Sequence, residues 1–328
     1  MAGATILGGI AGPDLSGAER DFFRAADPWG FILFGRNIDT PERLRRLTGA
    51  LREAVGRDAP VLIDQEGGRV QRMRAPHWTD FPPPLEQAGR GDRAIWLHHL
   101  LLGQELRAMG IDADCAPVLD IARDETHPFL RNRCLGTDVD SVARRGRIAA
   151  DALLASGVLP VIKHMPGHGR ARVDSHKDLP VVEAPLPELQ DSDFAPFRAL
   201  ADLPMAMTAH IRFTALDDAP ATASAPVIRM IRDWIGFDGL LMSDDIGMQA
   251  LQGSLAERAA ASVAAGCDLV LSCNETLAQM EGIVAASGRL SPDAKRRAAG
   301  ALALRQPAGA LDLAELRREL RALGGLAA

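Results

Sequence analysis

The densest run of reactive side chains in this 328-residue chain is Lys163–Pro180, KHMPGHGRARVDSHKDLP. An apolar stretch, Leu159–Ile162, gives way at once to Lys163 and His164. A loop with Gly167 and Gly169 follows, carrying His168, Arg170, Arg172, Asp174 and His176. Ionisable groups on a glycine-bearing loop directly after an apolar strand are how an α/β enzyme presents chemistry at the carboxyl end of a strand. Asp174 and His176 are two apart, and residues i and i+2 of an extended segment point the same way. The carboxylate can then orient the imidazole and raise its pKa, giving a general acid/base near neutrality. A second constellation, Asp244-Asp245, closes the run LLMSDD. A strand-end carboxylate can act as a nucleophile, and a helix N-cap pair is the competing reading. Adjacent strand residues point in opposite directions, so one of the two is expected to serve chemistry and the other a cap or support.

A third constellation runs from Asp64 to Arg72, DQEGGRVQR. A carboxylate and an arginine at a barrel mouth can bind sugar hydroxyls, with Gly67-Gly68 allowing close backbone approach. An ion-paired loop is the alternative. No GxGxxG or GxxxxGK phosphate fingerprint occurs. His164, His168 and His176 are spaced H-x3-H-x7-H, which is not a common zinc pattern, and HEXXH is absent. No metal and no cofactor are therefore expected, and polar residues that fix a loop are the plain reading of His164 and His168.

The elements that must position these groups can be read from the apolar runs. Eight strand candidates are Thr5–Ile10, Gly30–Arg36, Pro60–Glu66, Ala113–Asp120, Leu159–His164, Pro204–His210, Gly239–Asp245 and Cys267–Cys273. Their near-continuous hydrophobicity suits parallel strands buried on both faces. Most are followed by a helical pattern. Thr40-Pro41-Glu42 opens one to Val55, and Ala94–Met109, Asp140–Ser156, Leu255–Ala265 and Glu275–Ala286 show helical periodicity. Gly110, Gly157 and Gly266 stand where helices end. The fold expected is a single-domain (β/α)8 barrel over about 5–290, with C-terminal helices from Ser291-Pro292-Asp293 and over Leu311–Leu323 that close the barrel. Six runs end in polar or charged residues: Arg36-Asn37, Asp64-Gln65-Glu66, Asp120, Lys163-His164, His210 and Asp244-Asp245. In a parallel barrel those ends meet on one face, where such enzymes work. The polar segment Arg170–Asp174 has few apolar anchors and is expected to be mobile, closing over substrate.

Composition excludes several function classes. A net charge of −6 gives no electrostatic case for nucleic acid or anionic membrane. No apolar run approaches a membrane span, and the N-terminus lacks a basic region before its apolar stretch. The cysteines Cys115, Cys134, Cys267 and Cys273 show no CxxC spacing, as expected of buried thiols in a reducing compartment. A cytoplasmic monomer without nucleic-acid or membrane partners is expected.

Taken together, these motifs resemble glycoside hydrolase family 3, in its single-domain bacterial β-N-acetylglucosaminidase branch. The stretches that carry the resemblance are Ile32–Ile38, Ile63–Arg72, Ala116–Ile121, Asn132–Gly136, Lys163–His176, Met207–Ile211 and Met242–Met248, within roughly residues 5–290. The KH-PGHG-DSH element separates this branch from two-domain relatives whose acid/base glutamate lies on a second domain. The resemblance implies Asp244 as nucleophile, His176 as general acid/base and Asp174 as its dyad partner. It implies Asp64, Arg72, Arg133, Lys163 and His164 as residues that hold the sugar. Met165 and the Cys134-Leu135 pair depart from the usual Phe and Ser-Phe, which affects pocket shape more than chemistry.

The implied activity is a retaining exo-β-N-acetylglucosaminidase acting by double displacement on a small carbohydrate substrate. The family's usual substrates are cytoplasmic peptidoglycan fragments, the 1,6-anhydromuropeptides. Because histidine, unlike glutamate, adds no negative charge beside the acceptor, a phosphorylase using the same residues is the first rival. A non-catalytic sugar-binding barrel and a metal-dependent barrel hydrolase are the others.

Overall fold

A computed structural model of the chain describes residues 2–173, 175, 178–306, 309 and 311–326. Eight parallel strands form a closed barrel: β1 Gly3–Leu7, β2 Pro28–Leu33, β3 Val61–Ile63, β4 Ala113–Asp114, β5 Leu159–Met165, β6 Met205–Thr208, β7 Leu240–Asp245 and β8 Leu269–Ser272. Each pairs with its neighbours in sequence, and β8 closes on β1 through Thr5↔Val270 and Ile6↔Leu271. All eight expected strands are present. Alternate residues sort into two apolar layers. Ile6, Ile32, Leu62, Val161, Met207, Met242 and Leu271 share the inner cluster, while Leu7, Phe31, Leu33, Val61 and Ile63 pack outward against helices. This is why the runs read as continuously hydrophobic rather than alternating.

The connecting helices start and stop where local chemistry dictates. Helix α1, Gly17–Ala26, opens on a capping box between Ser16 and Glu19 that the sequence reading passed over. Helix α2, Pro41–Val55, starts at Thr40, whose side chain accepts the Arg43 N–H, and ends at Gly56 with φ 64°. Helices α3, Asp92–Ala108, and α4, Val139–Ala155, pack closely together. Two short helices, Leu186–Asp191 and Ala195–Ala199, link β5 to β6, and Ala225–Met230 runs into a wider turn before β7. Helices α5, Leu255–Ala265, and α6, Leu277–Ser287, follow β7 and β8. Helix α6 starts two residues later than the expected Glu275, because Thr276 is its cap. The Glu275 carboxylate instead accepts the Ser272 hydroxyl and the Asn274 N–H.

Most strands are shorter than the expected runs, β3 and β4 by the widest margin. β3 stops at Ile63, where the Gln65 N–H turns to the Asp114 side chain instead of a backbone carbonyl. β4 stops at Asp114, shortly before Pro117, which has no N–H to offer a ladder. The structure also adds a small parallel pair, Val181–Val182 with Arg212–Phe213, beside the barrel. Two-residue strands carry no periodic signal.

At the amino-terminal end of the barrel, helix α7, Pro292–Ala303, lays Ala294, Ala298 and Ala301 into the inner cluster, with Leu290 just before it. Helix α8, Leu313–Ala322, packs on α3, and Leu320 joins the outer core. Among the described residues, no helix is long and apolar enough to cross a membrane.

The α3 face carries much of the outer core, and Leu101 is almost fully buried there. Leu101→Ala is expected to lower the unfolding free energy by about 2–5 kcal/mol through lost burial and a residual cavity. Chemical denaturation measures it, and a loss below about 1 kcal/mol would show that this layer relaxes freely.

Candidate active site

The carboxyl ends of the strands surround a cavity of about 360 Å³. Asp64, Arg72, Arg133, Lys163, His164 and Asp244 all border it, so six of the eight residues singled out in the sequence lie on one surface. The other two, Asp174 and His176, lie outside the described residues. Ser175 between them is buried and borders the same cavity.

Asp64 and Glu66 are two residues apart after β3 and face the same way. Gln65 between them folds the following loop back, because its side-chain oxygen accepts the N–H groups of Arg72 and Met73 at 2.8 and 3.1 Å. Arg72 thereby reaches Asp64, with Nη2 3.2 Å from Oδ2. Lys163 Nζ lies 2.9 Å from Asp64 Oδ1 and 2.7 Å from Glu66 Oε1. Arg133 clasps Glu66 with two parallel bonds of 2.8 and 2.7 Å, the planar geometry that arginine matches best. Burial pushes Asp64 up, but Lys163 and Arg72 outweigh it and hold this carboxyl well below its ordinary value. For Glu66, burial is likewise overcome, by Arg133 and Lys163, and the value falls to about 2. Burial pulls Lys163 down, yet Asp64 and Glu66 raise it above the usual ammonium value. The two readings of the Asp64–Arg72 segment are therefore compatible: an ion-paired loop also lines the cavity. Glu66 was not singled out from sequence, although its spacing from Asp64 was the available signal.

Lys163 and His164 are adjacent on β5, yet both border the cavity. The register of β5 against β6 shifts between Ile162 and Met165, and this irregularity breaks the strict alternation of faces. Asp120 then fixes the histidine. Its Oδ2 lies 2.7 Å from His164 Nδ1, and since a carboxylate only accepts, Nδ1 carries the proton. The other ring nitrogen is 3.5 Å from Arg133 Nη2. Asp120 Oδ1 also accepts the backbone N–H of His168 at 2.6 Å. One buried carboxylate thus orients the His164 ring and ties down the start of the glycine loop. Burial, reinforced by neighbouring His164, lowers His168 to about 4, so this imidazole in the cavity wall is neutral near pH 7.

The glycines of that loop are required by close approach. A Cβ on Gly169 would lie 2.4 Å from the Ile121 carbonyl oxygen, and one on Gly167 2.7 Å from that of Asp193. The segment that follows, expected to be mobile, is anchored at its first two residues. Ala171 is fully buried among Ile121, Phe194 and neighbours. Arg170 bonds Asp193 at 2.7 Å and Glu188 at 2.7 Å. Arg172 and Val173 are exposed. The few anchors present are deep ones, which residue counting did not weigh.

Asp244 and Asp245 end β7, and both border the cavity, whereas strict alternation would turn one away. The β7–β8 register shifts between Leu269 and Leu271, beside this pair. Of the two, Asp245 makes cap-like bonds. Asp245 Oδ1 accepts the N–H groups of Gly247 and Cys273 at 3.0 and 3.2 Å, a cap-like role, while Asp245 donates its own N–H to Asp244 Oδ1 at 2.8 Å. His210, another strand-end residue, donates Nε2–H to the Asp245 carbonyl at 2.9 Å. Arg36 does not border the cavity. Its guanidinium clips the carbonyls of Gly8, Ile10 and Cys273 and so pins the rim at β1 and β8. Among the described residues, no group of three or more His, Cys, Asp or Glu is arranged to hold a metal.

Burial, with Glu275 nearby, raises Asp245 to about 7. Between the ordinary carboxyl value and pH 7 the folded state binds the extra proton, so this group makes folding less favourable as pH rises through that window. Relative to the wild type, Asp245→Asn is expected to gain stability as pH goes from about 4 to about 7. Taking the difference cancels the buried histidines, which act in the opposite direction. Denaturation curves across that range check it, and a pH-independent difference would sink the assignment.

The chain was compared with known proteins. The model of the glycosyl hydrolase family 3 N-terminal domain matches residues 25–297. A protein of Alkalilimnicola ehrlichii named beta-hexosaminidase is 38% identical over 281 residues, covering 82% of this chain and 80% of that protein. The structure of NagZ from Neisseria gonorrhoeae in complex with N-trifluoroacetyl-D-glucosamine superposes with a TM-score of 0.87 at 27% identity, covering 98% of each chain. A glycoside hydrolase family 3 beta-N-acetylglucosaminidase from Paenibacillus sp. has a TM-score of 0.84 at 30% identity and covers 99% of this chain, which spans only 63% of that longer one. With a family match over most of its length and a relative of this identity, the chain belongs to glycosyl hydrolase family 3.

Proposed function

We propose that this glycoside hydrolase is a retaining exo-β-N-acetylglucosaminidase that removes terminal N-acetylglucosamine from peptidoglycan fragments, the 1,6-anhydromuropeptides, as a single-domain monomer in the cytoplasm. The observation that carries the reading is the placement of Asp244 on a cavity whose opposite wall is the paired set Asp64, Arg72, Arg133, Lys163 and His164. Such a wall offers charged donors and acceptors at fixed positions, as a sugar ring bearing several hydroxyls requires. The name of the Paenibacillus relative supports the choice of an N-acetylated sugar, and that of the Alkalilimnicola relative a hexosamine.

In this mechanism an Asp244 oxygen attacks the anomeric carbon as the glycosidic C–O bond breaks, through an oxocarbenium-like transition state. The proton on the His176 imidazolium passes to the leaving oxygen, with Asp174 holding the ring. A glycosyl ester on Asp244 results. Water then attacks the same carbon, gives its proton to His176 and releases Asp244, so that two inversions leave the configuration retained. His164 and Lys163 bind and orient the sugar, while neutral His168 completes the wall without adding charge. No step calls for a metal.

A chromogenic N-acetyl-β-glucosaminide assayed beside the matching β-glucoside tests the specificity. The former should be strongly preferred, and comparable kcat/KM on both would overturn the reading. Asp244→Ala should abolish turnover while the fold persists by circular dichroism. A 2-fluoro sugar labelling Asp245 instead would overturn the assignment. His176→Ala should slow substrates with poor leaving groups far more than activated aryl glycosides, by about 10²–10⁴-fold for the former. Equal losses on both would place the acid elsewhere. Product analysis with and without phosphate separates hydrolysis from phosphorolysis.

A further inference from the structure

We propose that Thr222 is a positioning residue for the Asp244 nucleophile: its hydroxyl closes a ring of hydrogen bonds that runs from the Asp244 N–H to the Asp245 carbonyl. The inference rests on the functional reading above, which makes Asp244 the attacking group.

The first observation is where the backbone ladder stops. β6 pairs with β7 as far as Met207↔Met242. Two residues further along β7, the Asp244 N–H finds a side chain instead of a carbonyl and donates to the Thr208 hydroxyl at 3.3 Å. The Thr208 oxygen lies 2.8 Å from that of Thr222, which in turn lies 2.8 Å from His210 Nδ1. His210 Nε2 is 2.9 Å from the Asp245 carbonyl oxygen. Because Asp244 and Asp245 share a peptide bond, these links form a closed loop.

The sense of that loop can be worked out atom by atom. An amide only donates and a carbonyl only accepts, so both ends are fixed. The Asp245 carbonyl requires the proton on His210 Nε2. Burial, opposed by Asp244, holds the His210 ring below its ordinary pKa, so it is neutral near pH 7 and its Nδ1 accepts. Thr222 then gives its single proton to Nδ1, and Thr208 donates to Thr222. The Ala209 carbonyl, 3.1 Å from the Thr222 oxygen, is the more distant competitor for that proton. Every donor points the same way round, the arrangement in which successive bonds strengthen one another.

Burial decides what the ring can act on. Thr208, His210 and Thr222 are fully buried, and none of them borders the cavity. Their effect on a substrate must pass through Asp244. Thr222 reaches in from the short turn Ala221–Ala223, and its carbonyl accepts the Cys267 thiol at 3.6 Å. The turn thus clamps the ends of β6 and β7 together. The Asp244 carboxylate follows the clamped backbone, since its Oδ1 accepts the Asp245 N–H at 2.8 Å. Shifting an attacking atom by about 1 Å can cost on the order of a hundred-fold in rate.

A simpler role for Thr222 is to pack its own turn. Thr222→Val separates the two, since valine keeps the branched shape and loses the hydroxyl. The variants are assayed on a chromogenic N-acetyl-β-glucosaminide, with N-acetylglucosamine as competitive inhibitor. Thr222→Val is expected to lower kcat by roughly ten- to hundred-fold while the inhibition constant changes by less than about twofold. Thr222→Ser should recover most of the loss. Thr208→Val breaks the next link and should cost about as much. The double variant should lose no more than either single one, because the ring is already open. An unchanged kcat in Thr222→Val, or losses that multiply in the double variant, would overturn the inference and leave the functional reading intact. So would a weakening of the inhibitor that matches the fall in kcat. Should the valine variants not fold, ¹⁵N NMR of His210 in the unsubstituted enzyme decides. A neutral ring with its proton on Nε2 near pH 7 is expected, and either other form reverses the Thr222 link and sinks the ring. If the unsubstituted enzyme does not turn over the glycoside, the functional reading fails and this inference with it.

Discussion

Two carboxylates, Asp64 and Glu66, hold three cations at the mouth of the barrel, and the geometry of the whole site follows from that arrangement. The partners come from three places: the loop after β3, the long loop after β4 and the end of β5. Charges this deep are costly to desolvate, and removing one partner of such a set typically costs about 3–5 kcal/mol because the other charge is left buried and uncompensated. The set therefore has few alternative arrangements. It fastens the two loops to the strand and leaves the outward-facing edges of the same groups in fixed positions. A ligand that meets them finds donors already aligned and pays little to organise them.

The imidazoles add a second level of control. Asp120 settles which nitrogen of His164 carries the proton, and burial keeps His168 neutral. His98, behind Glu66, donates Nε2–H to the Glu66 carbonyl at 3.1 Å and is itself pushed well below its ordinary value by burial. Two histidines, His164 and His168, line the cavity that holds Asp244 and the paired lattice. Small shifts of pH near neutrality therefore leave the His168 and His98 rings uncharged.

The barrel itself was legible in the sequence because each strand is an unbroken apolar run and each run ends in ionisable residues, as at Leu159–His164 and Gly239–Asp245. Helix bounds such as Pro41–Val55 and Leu255–Ala265 were legible because caps are local chemistry. What escaped notice was non-local or irregular. The register shifts in β5 and β7–β8 bring Lys163 with His164, and Asp244 with Asp245, to one surface, against the two-residue period on which the reading relied. Glu66 and Asp120 were visible as strand-end acids, but their partners lie 67 and 44 residues away in sequence, beyond any spacing rule. The firm anchoring of Arg170 and Ala171 depended on Asp193 and Phe194, which only the folded chain brings near.

Helix α7 closes the far end of the barrel, and the inner apolar cluster fills the space between it and the site. Among the described residues, the cavity is accordingly a blind alley that opens at the strand carboxyl ends. A blind alley imposes sequence on traffic. The group that enters first sits deepest, and it is the last to leave, because the portion attached to it blocks the one exit until the bond between them is cut. Acting as proposed, the chain recognises an end rather than a middle of a longer molecule and discharges its two products in a set order. What lingers on the floor then delays the next arrival.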